Sequence, residues 1–459
     1  MCQLRLCMRL RQLRLCLRWR WCEMSERELL MFNYGGHKIQ LRIDPYGMGS
    51  LIVDASRVAY LNHTAAIMIK AFLSGGDWKQ AVKELKKYYR GMRKSEVRRH
   101  FDEITEKIRM FIDGYGDPVT DLGFKYQLPD VTVMSAPLRV DLILTYRCNN
   151  DCIHCYSSSP RETEELSTED WKRVLKIFHG LGVPQVTFTG GEPTLREDLV
   201  DLVSEAQKLG MVSGIVTNGT LLSDDLSRRL VEAGLDYAQI TLESKDPEVH
   251  DSITGVRGSW ERTVRGIKNM VSTGVYVSVN STLLKMNSPT ILDTIRFVAE
   301  LGVHGYSLNR VIYSGRATLD MEPSFEEMIN IITEAKELAI ELDLDFTWYG
   351  VTRYCEMDPI SMGLGLKFCS ACSINLAVEP DGTVIPCQSH YLKLGNILRD
   401  RWMDIWYSKE CLSIREAAYI GDACKNCPLL SFCRGGCPLE AEVRSYPFKP
   451  PEVEPHELP

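Results

Sequence analysis

From Arg139 onward, short apolar runs alternate with helical periods of about ten or more residues, and no other feature limits the possible folds so sharply. The runs are "VDLILTY", "QVTFTGG", "SGIVTNG", "YAQITLES", "VYVSVNSTLL" and "GYSLNRVI", separated by segments such as "DWKRVLKIFHGLG" and "WERTVRGIKNMVSTG". Strands fed by crossover helices lie parallel with right-handed connections, so the six repeats, ending in a helix near 325–342, predict an α/β fold: a partial or full (β/α)6 barrel. Sites in such barrels gather at the C-terminal strand ends. Cys148 follows the first run, Gly190-Gly191-Glu192 the second, Asn218-Gly219 the third and Glu243 the fourth, which places all of them on one rim.

The flanks have a different texture. Residues 24–125 carry strand-like "KIQLRI" and "SLIVDASRVAYL", then three amphipathic stretches, and predict a small winged-helix-like α+β module. Asn62 and Ser95 are the expected helix caps, Gly75-Gly76 a stop, and Gly114, Gly116, Pro118 and Pro129 mark a linker to a barrel over 138–345. Over 346–445 periodicity weakens and cysteines recur, the pattern of a loop-rich segment held by metal rather than by a large apolar core. The Pro-rich 446–459 is expected to be disordered. Residues 1–23, an Arg-Leu-Cys-Trp run ahead of Met24, read either as a mis-called start or as a basic amphipathic segment, and Cys2, Cys7, Cys16 and Cys22 are given no role.

A formal net charge of −7 argues against a generic nucleic-acid partner, and no run of 18 apolar residues exists to span a membrane. Sixteen cysteines in a chain of 459 residues, clustered at 148–155 and 369–437, point to metal ligation in a reducing cytoplasm rather than a secreted disulfide scaffold. His63, His154, His179 and His304 have no ligand spacing and are expected to be structural or to support a site from behind its ligands rather than to bind metal.

"TYRCNNDCIHCYS" sets Cys148, Cys152 and Cys155 as CxxxCxxC on the loop after the first strand. Three thiolates can hold three corners of a [4Fe-4S] cube and leave the fourth iron open to chelate a small molecule, although zinc or a redox thiol cluster is the rival reading. On the next strand end stands "TGGEP", where Gly190 and Gly191 allow close backbone approach and Glu192 offers a carboxylate to an amine.

These two motifs on a β/α repeat resemble the radical S-adenosylmethionine (SAM) superfamily over roughly 138–345, including Tyr156 directly after the third cysteine. The resemblance implies that the open iron binds the methionine amine and carboxylate of SAM, and that an electron from the cluster cleaves the sulfonium to a 5′-deoxyadenosyl radical that abstracts hydrogen. It implies Glu192 on the methionine amine, Thr217 and Asn218 near SAM on the third strand, and Thr241 and Glu243 on the fourth. No side chain is implied as a catalytic acid or base. Where relatives often carry an arginine for the SAM carboxylate this chain has Thr254, with Arg257 or Arg265 as substitutes.

Downstream, Cys372, nine residues, Gly382, four residues and Cys387 precede Cys424-xx-Cys427, Cys433 and Cys437-Pro438. This spacing resembles the SPASM extension, which implies one or two auxiliary iron-sulfur clusters; zinc knuckles are the rival. By that resemblance Cys369, Cys372, Cys387 and Cys437 hold auxiliary cluster I, and Cys424, Cys427 and Cys433 are left for cluster II. The family's further downstream cysteine is missing here. Cluster II therefore takes a non-cysteine ligand, borrows Cys411 or Cys355, exposes an iron, or is absent.

The pattern of "LIVDASRVAYLNHTAAIMIKAFLSGG" and the two following helices is similar to PqqD-type peptide-binding domains, which implies capture of an extended precursor peptide by strand addition. The expectation is a radical SAM enzyme that modifies a peptide or protein side chain, with a reductant such as ferredoxin or flavodoxin. The alternatives are a radical SAM enzyme of cofactor or haem-type biosynthesis, and a non-enzymatic iron-sulfur or zinc regulator with a winged helix on DNA.

Overall fold

The structure is a computed structural model that describes residues 28–44, 47–54, 57–115, 134–157 and 164–443. The expectations for 1–23, for the linker residues Gly116, Pro118 and Pro129, and for the Pro-rich tail lie outside the described residues.

The N-terminal module is an antiparallel meander, β1 (Glu28–Tyr34), β2 (His37–Ile43), β3 (Gly49–Val53) and β4 (Arg57–Leu61), followed by α1 (His63–Leu73), α2 (Trp78–Leu85) and α3 (Lys94–Asp113). "SLIVDASRVAYL" is thus a hairpin and not one strand, and β1 was not anticipated. Asn62 caps α1 as expected, accepting from Ala65 N at 2.9 Å. Ser95 does not cap α3: the N-cap is Arg93, and Ser95 lies inside the first turn. Gly114, at φ +72°, ends that helix in a left-handed conformation open to glycine.

The pleat of β2 divides its side chains between two neighbours. Ile39 and Leu41 turn to the helices, into a core with Leu51, Val53, Ile69 and Ile108. Lys38, Gln40 and Arg42 turn the other way, onto the barrel. Gln40 Nε2 donates to Pro184 O at 2.8 Å, Arg42 donates to Pro137 O at 2.7 Å and Ala136 O at 2.9 Å, and Lys38 Nζ pairs with Asp236 at 3.0 Å. Arg42 is fully buried, and its charge is met by Asp44 at 2.7 Å. A buried guanidinium is tolerable where carbonyls and a carboxylate replace its water.

The barrel runs β5 (Arg139–Ile143), α4 (Thr168–Gly180), β6 (Gln185–Thr189), α5 (Leu199–Lys208), β7 (Val212–Thr217), α6 (Asp224–Glu232), β8 (Tyr237–Thr241), α7 (Pro247–Thr254), α8 (Ser259–Val271), β9 (Tyr276–Thr282), α9 (Ile291–Glu300), β10 (Gly305–Asn309), α10 (Phe325–Glu341) and β11 (Asp345–Trp348). The six expected strands are β5 to β10, and β11 extends the parallel set beyond β10.

At the other edge lies the main departure from expectation. β12 (Asn375–Val378) pairs parallel with β5, and β13 (Thr383–Ile385) and β14 (Gly395–Asn396) continue antiparallel, so the sheet has ten strands. The cysteine-rich segment is therefore not coreless. Leu376, Val378, Val384, Ile405 and Trp406 join the same apolar cluster as Val140, Leu142 and Phe178. Five short helices follow, α11 (Trp402–Trp406), α12 (Lys409–Arg415), α13 (Asp422–Lys425), α14 (Leu430–Cys433) and α15 (Pro438–Val443). The indoles of Trp402 and Trp406 stack at 5.4 Å and donate to Ser135 O and Met134 O, both at 2.9 Å, which ties α11 to the approach to β5.

Candidate functional site

The loop after β5 carries Cys148, Cys152 and Cys155, and three neighbouring strand ends hold it. Asp151 N and Ile153 N donate to Thr254 O and Ile253 O at the end of α7, at 2.8 and 2.9 Å. Arg316, beyond β10, donates to Asp151 O and Cys152 O at 3.2 and 3.3 Å and forms an ion pair with the Asp151 carboxylate. Gly315, at φ +64°, allows this approach, since a Cβ there would stand 2.3 Å from Cys155 O and 2.7 Å from Tyr156 O. Neither residue was singled out in the sequence, although a glycine just past a strand end on the shared rim is a usable signal.

Gly190 and Gly191 are packed against the chain itself. Built Cβ atoms would stand 2.3 Å from Thr145 O and 2.3 Å from Arg147 O respectively, and Gly191 N and Glu192 N donate to those same carbonyls at 2.7 and 2.8 Å. The glycine pair thus brings the second strand end against the root of the cysteine loop.

Glu192 is fully buried. Its Oε1 accepts from Thr217 Oγ1 at 2.6 Å and from Thr194 N at 3.0 Å, and its Oε2 accepts from Asn218 N at 2.8 Å. Burial pushes its pKa up, and the donors from Thr194, Thr217 and Asn218 oppose that rise. With two oxygens able to accept about four hydrogen bonds, Oε2 retains capacity for an amine. Asn218 Nδ2 donates to Asn149 Oδ1 at 2.8 Å and lies 3.9 Å from Cys148 Sγ, so the third strand end reaches the cysteine loop as the sequence predicted.

The fourth strand end brings Glu243, fully buried, beside His154 of the same loop. Its Oε2 accepts from Thr282 N at 2.8 Å, and its Oε1 lies 3.3 Å from His154 Nε2 without hydrogen-bond geometry. His154 was expected to be structural or to support a site from behind its ligands, and it stands between two of the three cysteines. Thr241 ends β8 half-buried. Thr254 is consumed internally, its hydroxyl 2.7 Å from Ser259 Oγ, and Arg257 and Arg265 are exposed.

The orphaned atoms test whether a ligand belongs here. Glu243 Oε1, His154 Nδ1 and Asn150 Oδ1 are buried without hydrogen bonds, all on or against the cysteine loop. Buried polar atoms without partners are costly, so a polar ligand adjacent to the thiols would relieve three of them. Burial also pushes the Cys148 thiol up to about 11 and the Cys152 thiol higher still. A metal that took these thiols as thiolates would displace their protons.

The C-terminal cysteines fall into groups by mutual electrostatic influence. Cys437 and Cys387 raise the Cys369 thiol, and Cys437 raises that of Cys387, beneath a burial effect that pushes Cys387 up to about 12. Cys372, assigned by resemblance to the same cluster, points its thiol at Cys411, and both are fully buried. Cys424, Cys427 and Cys433 form the other group. Among the described residues no three histidine, cysteine or carboxylate groups close around a single ion.

The two cysteine regions touch. Tyr391, past Cys387, donates from its hydroxyl to Tyr156 O at 2.8 Å, and Tyr146 donates to Glu379 at 2.7 Å. Half-buried Tyr156 has its pKa raised by desolvation first, then by Tyr391, Cys155, Asp141 and Cys387, groups from both cysteine regions.

Comparison with known proteins agrees with this arrangement. Residues 142–298 match the radical SAM superfamily, and 369–428 match the SPASM iron-sulfur cluster-binding domain. A PqqA peptide cyclase of Xanthomonas axonopodis pv. citri is 27% identical over 328 residues, 68% of this chain and 85% of the relative. An AdoMet-dependent heme synthase of Oleidesulfovibrio alaskensis is 27% identical over 321 residues, 64% of this chain and 80% of the relative. Among solved structures, Streptococcus suis SuiB bound to precursor peptide SuiA superposes with a TM-score of 0.68 at 17% identity, covering 92% of this chain and 99% of SuiB. With three thiols on the first strand loop, GGEP braced against them and a cysteine-rich segment sharing the same sheet, this chain belongs to the radical SAM superfamily, is an enzyme using [4Fe-4S] clusters and SAM, and carries a SPASM-type domain.

Proposed function

We propose that this enzyme modifies a side chain of a precursor peptide or protein. The observation that carries the reading is the joining of the cysteine loop to the SPASM-type segment through β5–β12 pairing and the Tyr156–Tyr391 contact. Peptide cyclase relatives, and the likeness to a structure holding a precursor peptide, support the substrate class.

In this reading Cys148, Cys152 and Cys155 hold the cluster whose bound SAM, when reduced, supplies the hydrogen-abstracting radical. Glu192 Oε2 orients the methionine amine, held in place by Asn218 N. Glu243 Oε1 and His154 take hydrogen bonds from the ligand, satisfying atoms otherwise orphaned. Thr217 fixes Glu192, and Thr241 lines the rim. Cys369, Cys387 and Cys437, with Cys372 once its thiol turns from Cys411, hold auxiliary cluster I. Cys424, Cys427 and Cys433 hold cluster II.

Residues 24–125 act in this reading as a PqqD-like peptide reader, 138–345 as the radical core and 346–445 as the auxiliary domain. Strand β4 pairs only with β3 among the described strands, so its outer edge offers backbone groups to an added strand. The electron comes from a ferredoxin or flavodoxin in the cytoplasm. No helix among the described residues is long and apolar enough to cross a membrane.

The test pairs reduced, iron-loaded enzyme with the product of a short reading frame beside its gene, deuterated at each residue type in turn. Transfer of deuterium into 5′-deoxyadenosine, with a mass change in the peptide, is expected. Deuterium from a tetrapyrrole and none from any peptide would favour the cofactor alternative, which the heme synthase relative keeps in view.

A further inference from the structure

We infer that Cys355 supplies the fourth thiolate of auxiliary cluster II, so that this cluster is closed by protein ligands although the chain has no cysteine after Cys437. The inference rests on the reading of the C-terminal segment as an auxiliary cluster domain.

A partly open pocket lies between the strand β11 exit and the α13–α14 turns. Four cysteines line it, Cys355, Cys424, Cys427 and Cys433, together with apolar Ala423, Leu429 and Leu430. Cys411, the other thiol within reach by sequence, does not line it. It lies fully buried with its thiol beside Cys372 and accepts from Arg415 at 3.4 Å.

The backbone around Cys355 is pinned to this cavity from two sides. Tyr354 N donates to Cys433 Sγ at 3.5 Å, a contact of the kind that supports a cluster thiolate. Arg353, nearly buried, pairs with Glu356 at 2.7 Å and lies 3.7 Å from Glu440 of α15, which follows Cys437. Gly436, at φ +82°, lets Arg353 pass, since a Cβ there would meet its Cγ at 2.8 Å.

Four thiolates around one cube leave no iron for substrate. A closed cluster can pass an electron but cannot chelate a peptide, so Cys355 assigns cluster II to electron transfer.

The test uses full-length protein with Cys148→Ala, Cys152→Ala and Cys155→Ala, so that spectra report the auxiliary clusters alone. This parent should hold about eight irons, and adding C424A, C427A and C433A should leave about four. Adding C355A instead should alter the reduced-state EPR signal. Mild ferricyanide oxidation should then release about one iron and yield a [3Fe-4S] signal that the parent lacks. Cys355→Ser, which keeps an oxygen ligand and a small side chain, should retain the iron with a shifted potential. If C355A and C355S match the parent in iron, EPR and potential while the C424A/C427A/C433A variant loses its four, Cys355 is not a ligand and the auxiliary domain stands. If that variant loses no iron, the domain reading fails and the inference with it.

Discussion

Replacing Arg310 with methionine should loosen the joint between barrel and auxiliary domain. Arg310 follows β10, with its side chain 5% exposed. It donates to Glu322 at 2.6 and 3.1 Å and to Glu440 of α15 at 2.7 and 2.9 Å. Its guanidinium also lies 4.9 Å from the Phe325 ring centre. Methionine fills the volume and removes four charge-assisted hydrogen bonds, which leaves two carboxylates whose side chains are 2% and 4% exposed without that cation. Breaking a buried pair from one side costs about 3–5 kcal/mol, and the low end applies because Arg353 remains 3.7 Å from Glu440 and Tyr313 still donates to Glu322. About 3 kcal/mol corresponds to roughly a hundredfold faster opening of α15.

Hydrogen exchange at the amides of Glu440 and Ala441, both bonded to Cys437 O at 3.2 Å, reads this directly. R310K, which keeps the charge without the fork, should lie between. Protection of R310M within about threefold of the parent would refute the reasoning.

Gly315→Ala should lower SAM cleavage by at least about tenfold with unchanged circular dichroism, since its Cβ would stand 2.3 Å from Cys155 O and must displace the loop; unchanged cleavage and iron would show that the approach is not needed. Cys411→Ala should leave the iron content unchanged and cost about 1–3 kcal/mol from the buried Arg415 donor it strands, read by urea unfolding; loss of iron would make Cys411 a ligand. Addition of the precursor peptide should slow hydrogen exchange in β4, and a peptide modified without any change at Arg57–Leu61 would remove strand addition.

The rim was legible because period and punctuation agree there. The second, third and fourth strand ends carry glycine, asparagine or a carboxylate where an apolar run stops, and a cysteine follows the first, so the order of Cys148, Glu192, Asn218 and Glu243 around the site followed from the repeat. What the sequence hid lies at edges and contacts. β12 is a four-residue run, "NLAV", between cysteine loops, and only its pairing with β5 makes it part of the barrel. Gln40 and Arg42 alternate with apolar residues as a solvent face would, yet both are buried because barrel carbonyls take their donors. The glycines of GGEP suggested ligand approach, whereas the crowding atoms are Thr145 O and Arg147 O. Cys355 stands apart from every spaced motif, and a solitary thiol acquires meaning only when the fold brings it to three others.

The central claim is tested most directly by anaerobic turnover of SAM under a strong reductant, with 5′-deoxyadenosine quantified. Iron-loaded wild type should produce 5′-deoxyadenosine and methionine, and the variant with Cys148, Cys152 and Cys155 all replaced by alanine should produce neither while keeping its auxiliary iron. Undiminished 5′-deoxyadenosine from that variant, or none from iron-replete wild type, would contradict the assignment of this loop as the place where SAM is cleaved.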